Sequence, residues 1–341
     1  MNNSAQALAA KQALANGFRK KGIAIAVLSG MLYGIYTAFM TQGMASGKWA
    51  AWYGGAASAF AVIYTLSAVG AATNDLFSAV WTLIYSAIKG KLGDFGRSLK
   101  SKPGVILIIS AIIGGPIAST CYVLGLQLGG SIIIPIAALN AAIGAIIGKF
   151  VFKQPLTGKM ILGIIICFAA AVLIGSTSFA DGVDLSGGAV FGLIAAFCAA
   201  LGWGIEGAVA GFGTSMIDPE IGITIRQVTS GLSNAIILVP LLSLIGGDGI
   251  GSGFSFVAQA LSDGPSAWMF IISGLAAAAS FGFWYSSRYG LQRHVRFLGS
   301  TLLLPYHRSW LWCRRLRYSM AGLGRRSYHG IRYLRTGNCS G

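Results

Sequence analysis

Charge is scarce in this chain. Of 341 residues only 10% are Asp, Glu, Lys or Arg, and the acidic ones number nine. An ordinary soluble protein carries about 25% charged residues, so a globular protein wetted on all sides is excluded. Histidine is nearly missing: His294, His307 and His329 are the three, and residues 1–285 have none. Most of the chain therefore lacks the commonest general base and metal ligand. The five cysteines (Cys121, Cys167, Cys198, Cys313 and Cys339) are scattered, with no CxxC pair. Neither a disulfide framework nor a metal site is expected from them. A P-loop, a G-x-S-x-G elbow and a paired-carboxylate pattern are also lacking, so no enzyme, catalytic residue or cofactor is expected. With no ATP-binding domain, any pumping requires an ion gradient or a separate subunit.

Apolar residues fill the space, at 55% of the chain with a mean hydropathy of +0.71. Runs of about 20 apolar residues recur, the length of a membrane-crossing helix and far longer than a barrel strand. The 49 glycines suit close helix packing in lipid. A net charge of +16 read alone suggests nucleic acid, but its distribution argues otherwise. From Arg288 onward there are 11 Arg with no Lys and no acid, leaving 14 basic against nine acidic residues before it. The basic excess belongs to the tail, and no nucleic-acid partner is expected.

Residues 1–21 read as a polar N-terminal tail ending in Arg19-Lys20-Lys21, followed by an uncleaved first span at about 22–43. The stretch 52–88 is longer than one crossing needs. Basic residues lie on both sides of it, in the tail and in the loop 89–104, and the positive-inside rule wants both on the cytoplasmic side. One crossing near 70–88 satisfies this, with 52–69 either an outer extension or a re-entrant piece. Further spans follow at about 105–126, 131–150, 159–176, 189–213, 221–245 and 267–285. Alternation from a cytoplasmic N-terminus also places Lys149, Lys153 and Lys159 inside, with Lys48 outside. The location expected is the inner (cytoplasmic) membrane, crossed several times.

An internal repeat runs through these spans. Gly192–Gly213 lies on Gly22–Gly43 at a shift of 170, matching Gly192/Gly22, Ala196/Ala26, Gly204-Ile205/Gly34-Ile35 and Ala208/Ala38. Trp203 falls on Tyr33 and Glu206 on Tyr36. Ile108–Tyr122 matches Ile271–Tyr285 at a shift of 163, and between these Asn74-Asp75 and Ser78 fall opposite Arg226-Gln227 and Ser230. Five spans precede the second copy, so the halves, 22–176 and 177–285, are predicted to be inverted, as is common in secondary transporters.

The stretch Tyr122–Gly175, above all Ile133-Ile134-Pro135-Ile136-Ala137-Ala138-Leu139, Phe150-Val151-Phe152-Lys153-Gln154-Pro155-Leu156-Thr157 and Leu173-Ile174-Gly175, resembles the end of an EamA repeat of the drug/metabolite transporter superfamily. Arg226, early in the second helix of its half, looks like the arginine many members carry there. The sequence departs from the pattern at Gln154, where many members have Glu, and at Asn74-Asp75, where the first half lacks the arginine. The resemblance, over roughly 22–285, implies an all-α fold of ten helices in two inverted five-helix repeats around a substrate cavity. About eight of those spans are clear in this chain.

Residues 286–341 do not fit. Their length suits two further helices, but their composition is Arg-rich, with strings such as Cys313-Arg314-Arg315-Leu316-Arg317. Right length with wrong composition predicts a displaced reading frame, since repeated valine codons read out of frame give arginine. The other reading is a genuine basic tail that binds anionic lipid.

Glu206 is the leading candidate for chemistry. A carboxyl in mid-span either gains and loses a proton to couple transport, or stays protonated and bonded to a neighbouring helix. Asp75 and Arg226 either line a pathway or reach the headgroups. Tyr33, Tyr36 and Trp203 form cavity walls or pack, Asn140 lines the cavity or bonds between helices, and Gly30xxxGly34 and Gly144xxxGly148 pack. The function expected is secondary transport of a small-molecule metabolite or drug by alternating access, ion- or proton-coupled. The partners expected are that substrate and the lipid bilayer, with a homodimer as a candidate assembly. The alternatives are a non-transporting membrane scaffold or sensor on the same fold, and an inactive truncated product.

Overall fold

The computed structural model describes residues 2–153, 156–180, 187–214 and 216–302, and among them every regular element is helical. The chain divides into two units, 1–292 and 293–341, and the helix bundle is the first of them. Residues 286–302 of the Arg-rich tail are helical, whereas 303–341 and the Gln154 departure lie outside the described residues.

Helix α1 (Asn2–Met44) runs the helical backbone back through the expected N-terminal tail. A short α2 (Lys48–Ala51) continues as a π turn over Trp52–Ala56 and breaks at Gly55, whose φ of +109° glycine tolerates. Ser58 caps the next turn, its Oγ accepting from Ala61 N at 3.1 Å. A π turn, Ala61–Thr65, then leads straight into α3 (Leu66–Ile88). The stretch 52–69 is thus a bent extension of α3. Helix α4 (Leu92–Leu99) precedes α5 (Lys102–Ile112), which is capped by Ser101 with Pro103 in its first turn. Pro116 cannot donate to the ladder, and around it α5 widens into a π segment, Ile113–Ser119, before α6 (Thr120–Gly129). Then come α7 (Ile133–Ala137), α8 (Asn140–Phe152), α9 (Gly158–Ala180) and α10 (Gly187–Thr214). Helix α11 (Pro219–Ser233), capped by Asp218, passes through a π turn into α12 (Val239–Ile245). Helix α13 (Ile250–Ser262), which the hydropathy pattern does not single out, and α14 (Gly264–Leu302) complete the order.

Among the described residues, six helical stretches are long and apolar enough to cross a membrane: Lys21–Met44, Lys102–Gly129, Ile133–Val151, Gly188–Gly211, Pro219–Ile245 and Gly264–Tyr285. Helix α3 has 23 residues but carries Thr73, Asn74, Asp75 and Ser78 at its middle, and the apolar stretch of α9, Met160–Leu173, is shorter. The bundle is turned inside out relative to a soluble one. On α3 the polar Asn74, Asp75, Ser78, Thr82 and Ser86 are buried, whereas Val80, Ile84 and Ile88 are exposed. Exposed Ile, Leu, Val and Phe recur on most of the helices. Such a surface suits a hydrocarbon solvent, and the chain is a multi-pass membrane helix bundle.

Three helix pairs hold the centre. Along α1 and α14, Ser29 and Ser280 exchange hydrogen bonds with each other's carbonyls, both 2.8 Å, and Ser273 Oγ donates to Tyr36 O at 2.8 Å. Along α10 and the α5–α6 segment, small residues let the backbones meet: a Cβ on Gly202 would lie 2.7 Å from Ala118 Cβ. The third pair is α3 with α11. Helix α8 packs against α10, with Ile143 on Gly204, and Gly144 and Gly148 are buried as expected. Gly30 and Gly34 are not. They face outward with nothing near them, because the face of α1 that touches protein is the one carrying Ser29, Tyr36 and Met40.

Contacts between loops fix which ends coincide. Lys91 Nζ reaches Glu220 Oε2 at 2.5 Å and Asp218 Oδ2 at 2.9 Å, so the α3–α4 and α10–α11 connections share one end. At the other, Lys48 N donates to Asp263 Oδ2 at 3.1 Å and Ser58 Oγ to Asp248 Oδ2 at 2.8 Å.

Candidate functional site

The polar faces of α3 and α11 meet in the middle of the bundle. Helical spacing puts Asn74, Asp75 and Ser78 on one side of α3, and the same spacing aligns Arg226, Gln227 and Ser230 on α11. All are buried, with Arg226 and Gln227 at 0% exposure and Asp75 at 2%. At the crossing, Ser230 Oγ donates to Asp75 Oδ2, and Gln227 Nε2 donates to Ser78 Oγ. Beside these, Asn74 Nδ2 donates to Asp75 Oδ1 at 3.3 Å, and Arg226 Nη1 donates to Gln227 Oε1. On the sequence repeat Asp75 stands for Gln227, Ser78 for Ser230 and Asn74 for Arg226. Under the repeat expected from the sequence, the Ser230–Asp75 and Gln227–Ser78 bonds would be counterparts, as would Asn74–Asp75 and Arg226–Gln227.

The counterparts diverge at Arg226. Its Nε donates to Glu206 Oε1 at 2.9 Å, and Nη1 lies 3.6 Å from Asp75 Oδ2. Nη2 approaches the Gly114 carbonyl at 3.5 Å, an oxygen that also accepts from Trp203 Nε1 at 2.9 Å. The same carbonyl also accepts from Ser119 Oγ at 3.0 Å, within the π segment. The guanidinium also sits over the Phe281 ring, 4.2 Å from its centroid, a cation–π contact strengthened by desolvation. Where Arg226 holds a carboxylate, Asn74 accepts from Ser273 Oγ at 2.6 Å.

Two glycines in the π segment set the fit. A Cβ at Gly114 would fall 1.9 Å from Glu206 Oε2, and one at Gly115 would fall 2.0 Å from Ser230 Oγ. No other residue allows α5–α6 to press this close to both halves of the cluster.

Aromatic rings wall one side. Tyr33 meets Tyr36 edge-on with centroids 5.1 Å apart, and Tyr122 lies 5.0 Å from Trp203. Tyr122 Oη bonds Thr37 Oγ1 at 2.8 Å. Between Tyr36, Tyr122, Trp203, Phe281, Asn74 and Asp75 lies a cavity of about 10 Å³, room for about one water. A larger depression, about 290 Å³, sits among Ile132, Ile136, Leu139, Phe168, Ala171, Val172 and Leu193. Its lining side chains are all apolar, so it offers no group for chemistry and suits an acyl chain better than a site.

The structure therefore brings Glu206, Arg226, Asp75, Tyr36, Tyr33 and Trp203 into one cluster. Asp75 and Arg226 are enclosed by protein, not extended along a helix surface toward headgroups. Asn140 stands apart: half-buried at the start of α8, it makes none of the cluster's hydrogen bonds. The sequence repeat contains Asn74, Ser78, Gln227 and Ser230 without showing that they bond to one another. It gives no role to Ser273, Tyr122, Phe281 or the Gly114 carbonyl. The helical spacing of polar side chains in α3 is a usable signal for the first group. Nothing in sequence marks the Gly114 carbonyl as an acceptor for side chains.

The members of the cluster differ in what they face. Asp75 lines the cavity, while Glu206 lies behind it against Arg226 and Gly114. Two carboxylates here meet one guanidinium. Compared with models of protein families the chain matches none, and no curated protein is similar enough to count as a relative.

Proposed function

We propose that this chain is a secondary membrane carrier of a small molecule, built as two inverted repeats of the EamA type and working by alternating access. One observation carries the reading: the buried polar cluster matches the two-fold relation expected between the repeats. The Ser230–Asp75 and Gln227–Ser78 bonds exchange under that relation. So do the helix pairs, since α1 lies on α14 as α10 lies on α5–α6, while α3 and α11 cross each other. An axis in the membrane plane lets the halves trade conformations, which is how one site is exposed to either side in turn. Short helices fall at matching places too, α4 and α13 each standing between the second and third spans of its half.

The cluster supports transport over a scaffold role. Desolvating three ionisable groups at mid-bundle is expensive, and packing alone is served as well by apolar side chains. Packed layers lie toward both ends of the bundle. On the α4 side Lys91 ties the α3–α4 connection to α11, above a layer of Leu107, Ile221, Ile225 and Tyr285. At the other end Trp49, Trp52 and Phe270 fill the space. In this reading the side bearing Lys91 is cytoplasmic and the structure is an occluded state between the two open ones.

Reconstitution tests it. Proteoliposomes bearing the full chain and given a pH or ion gradient should move a labelled solute from a panel of small metabolites. Replacing Arg226 by Gln should cut that flux by an order of magnitude or more. Flux of no solute, from protein shown to be folded, would favour the scaffold or the inactive-product reading.

A further inference from the structure

We infer that Cys121 and Cys198 are a redox pair, closing to a disulfide that fastens α6 to α10 when a lipid-soluble oxidant of the quinone class takes up the electrons. No spacing in the sequence pairs these residues; the packing of the helices does. Among the described residues the free thiols are Cys121, Cys167 and Cys198, and Cys167 belongs to α9. Three observations carry the inference. The first is how closely the two helices run. A Cβ on Gly202 of α10 would lie 2.7 Å from Ala118 Cβ, in the π segment that leads into α6, and one on Gly125 of α6 would lie 3.4 Å from Ala196 N. Backbones that meet through glycine and alanine keep facing Cα atoms inside the roughly 7 Å limit for a disulfide. Cys121 lies between Ala118 and Gly125, and Cys198 between Ala196 and Gly202. Both therefore stand on this stretch, at matching levels of two antiparallel helices.

The second is that they share an edge of the seam. Their chain neighbours Tyr122 and Ala199 are buried, at 1% and 0% exposure, whereas Cys121 is half-buried and Cys198 exposed. Both thiols thus stand on the outward side of the contact, and Cys121 is within electrostatic reach of Cys198.

The third is the medium around them. Both lie inside apolar spans, Lys102–Gly129 and Gly188–Gly211, so hydrocarbon meets the exposed side of Cys198. Polar oxidants and thiols pay heavily to enter that medium, and a quinone does not. In the oxidation two S–H bonds break and one S–S bond forms. The two electrons and two protons pass to the quinone, which becomes a hydroquinone. The bridge itself does not depend on the transport reading, but its consequence does. In a carrier whose halves rock against each other, a covalent link from α6 to α10 holds them in one arrangement, so oxidation turns flux off.

The test uses the purified full chain in lipid nanodiscs, one copy per disc, exposed to a short-chain ubiquinone. Mass spectrometry after proteolysis should find peptides joined through Cys121 and Cys198, and dithiothreitol should separate them. Phe197→Cys with Cys198→Ser moves the thiol one position round α10, away from α6, and should slow the joining at least about tenfold. Cys167→Ser should leave it unchanged. Absence of the Cys121–Cys198 link, joining through Cys167 in its place, or equal joining by the displaced thiol would each overturn the inference. In proteoliposomes, oxidation should lower flux at least about tenfold in the wild type and leave Cys198→Ser unaffected. Undiminished flux with the bridge formed would overturn the switch. Flux of no solute by the reduced protein would sink the carrier reading and leave the bridge standing.

Discussion

Arg226 sits 2.9 Å from one carboxylate and 3.6 Å from another, with Phe281 beneath it. Removing a buried guanidinium while leaving its partners charged costs about 3–5 kcal/mol. Arg226→Gln is accordingly expected to lower the thermal midpoint of the detergent-solubilised protein sharply. Arg226→Gln with Glu206→Gln should be less destabilised than the sum of the two single variants, because the pair is removed whole. Additive losses would show that Glu206 and Arg226 do not depend on each other. Lys91 offers a milder case at the bundle's end. Its hydrogen bond to Glu220, and secondarily that to Asp218, raises its pKa above the ordinary lysine value. A raised lysine contributes stability in full below its unfolded-state pKa and loses it as pH climbs through the folded value. Amine-reactive labelling across alkaline pH, read by mass spectrometry, should therefore find Lys91 reacting at higher pH than the ordinary lysine range. The Lys91→Met variant should lose stability at pH values between the ordinary carboxylate and lysine ranges, and the loss should shrink at acid pH, where its partners Glu220 and Asp218 are neutralised.

At the level of the helices, the π segment Ile113–Ser119 matters most. It exists because Pro116 removes a donor, and Gly114 and Gly115 let it lie against Glu206 and Ser230. Gly115→Ala inserts a carbon 2.0 Å from Ser230 Oγ, inside any tolerable contact, so α5–α6 must shift away from α11. Expression and monodispersity on size-exclusion chromatography should fall markedly, while Gly30→Ala, on an open face, should change neither. The α1–α14 pairing has its own check. Ser29 and Ser280 lie with their hydroxyl oxygens 3.4 Å apart, so Ser29→Cys with Ser280→Cys should crosslink on mild oxidation. Ser86→Cys paired with Ser280→Cys should not, since Ser86 faces Thr224 at 2.9 Å on another helix pair.

Over the whole molecule, the ends of the bundle are set by contacts that join distant loops. Lys91 with Asp218 and Glu220 marks one end, and Lys48 with Asp263 marks the other. Single cysteines at Gly90 and Ser262, in a background lacking the native ones, should react with an impermeant reagent from opposite sides of sealed vesicles. Labelling from the same side would remove the alternation on which the inverted-repeat reading depends.

Much of this architecture is written in the chain. Composition and run length dictate a membrane helix bundle, because hydrocarbon requires each backbone group to be satisfied within its own helix. The repeat read at shifts of 170, 152 and 163 singles out Glu206, Arg226 and Asp75 with Tyr33, Tyr36 and Trp203, since a polar residue in an apolar span is conspicuous. The same pattern cannot rank them. Glu206 stands out by isolation, yet tertiary packing gives it to Arg226 and turns Asp75 to the cavity. Asn140 is equally conspicuous and lies elsewhere. What the tertiary structure alone decided is partnership, because a hydrogen bond between α3 and α11 joins residues some 150 positions apart and depends on which faces two helices present. That choice is made by glycines at the crossing and by a π turn at Pro116, features whose effect is geometric and leaves little trace in hydropathy.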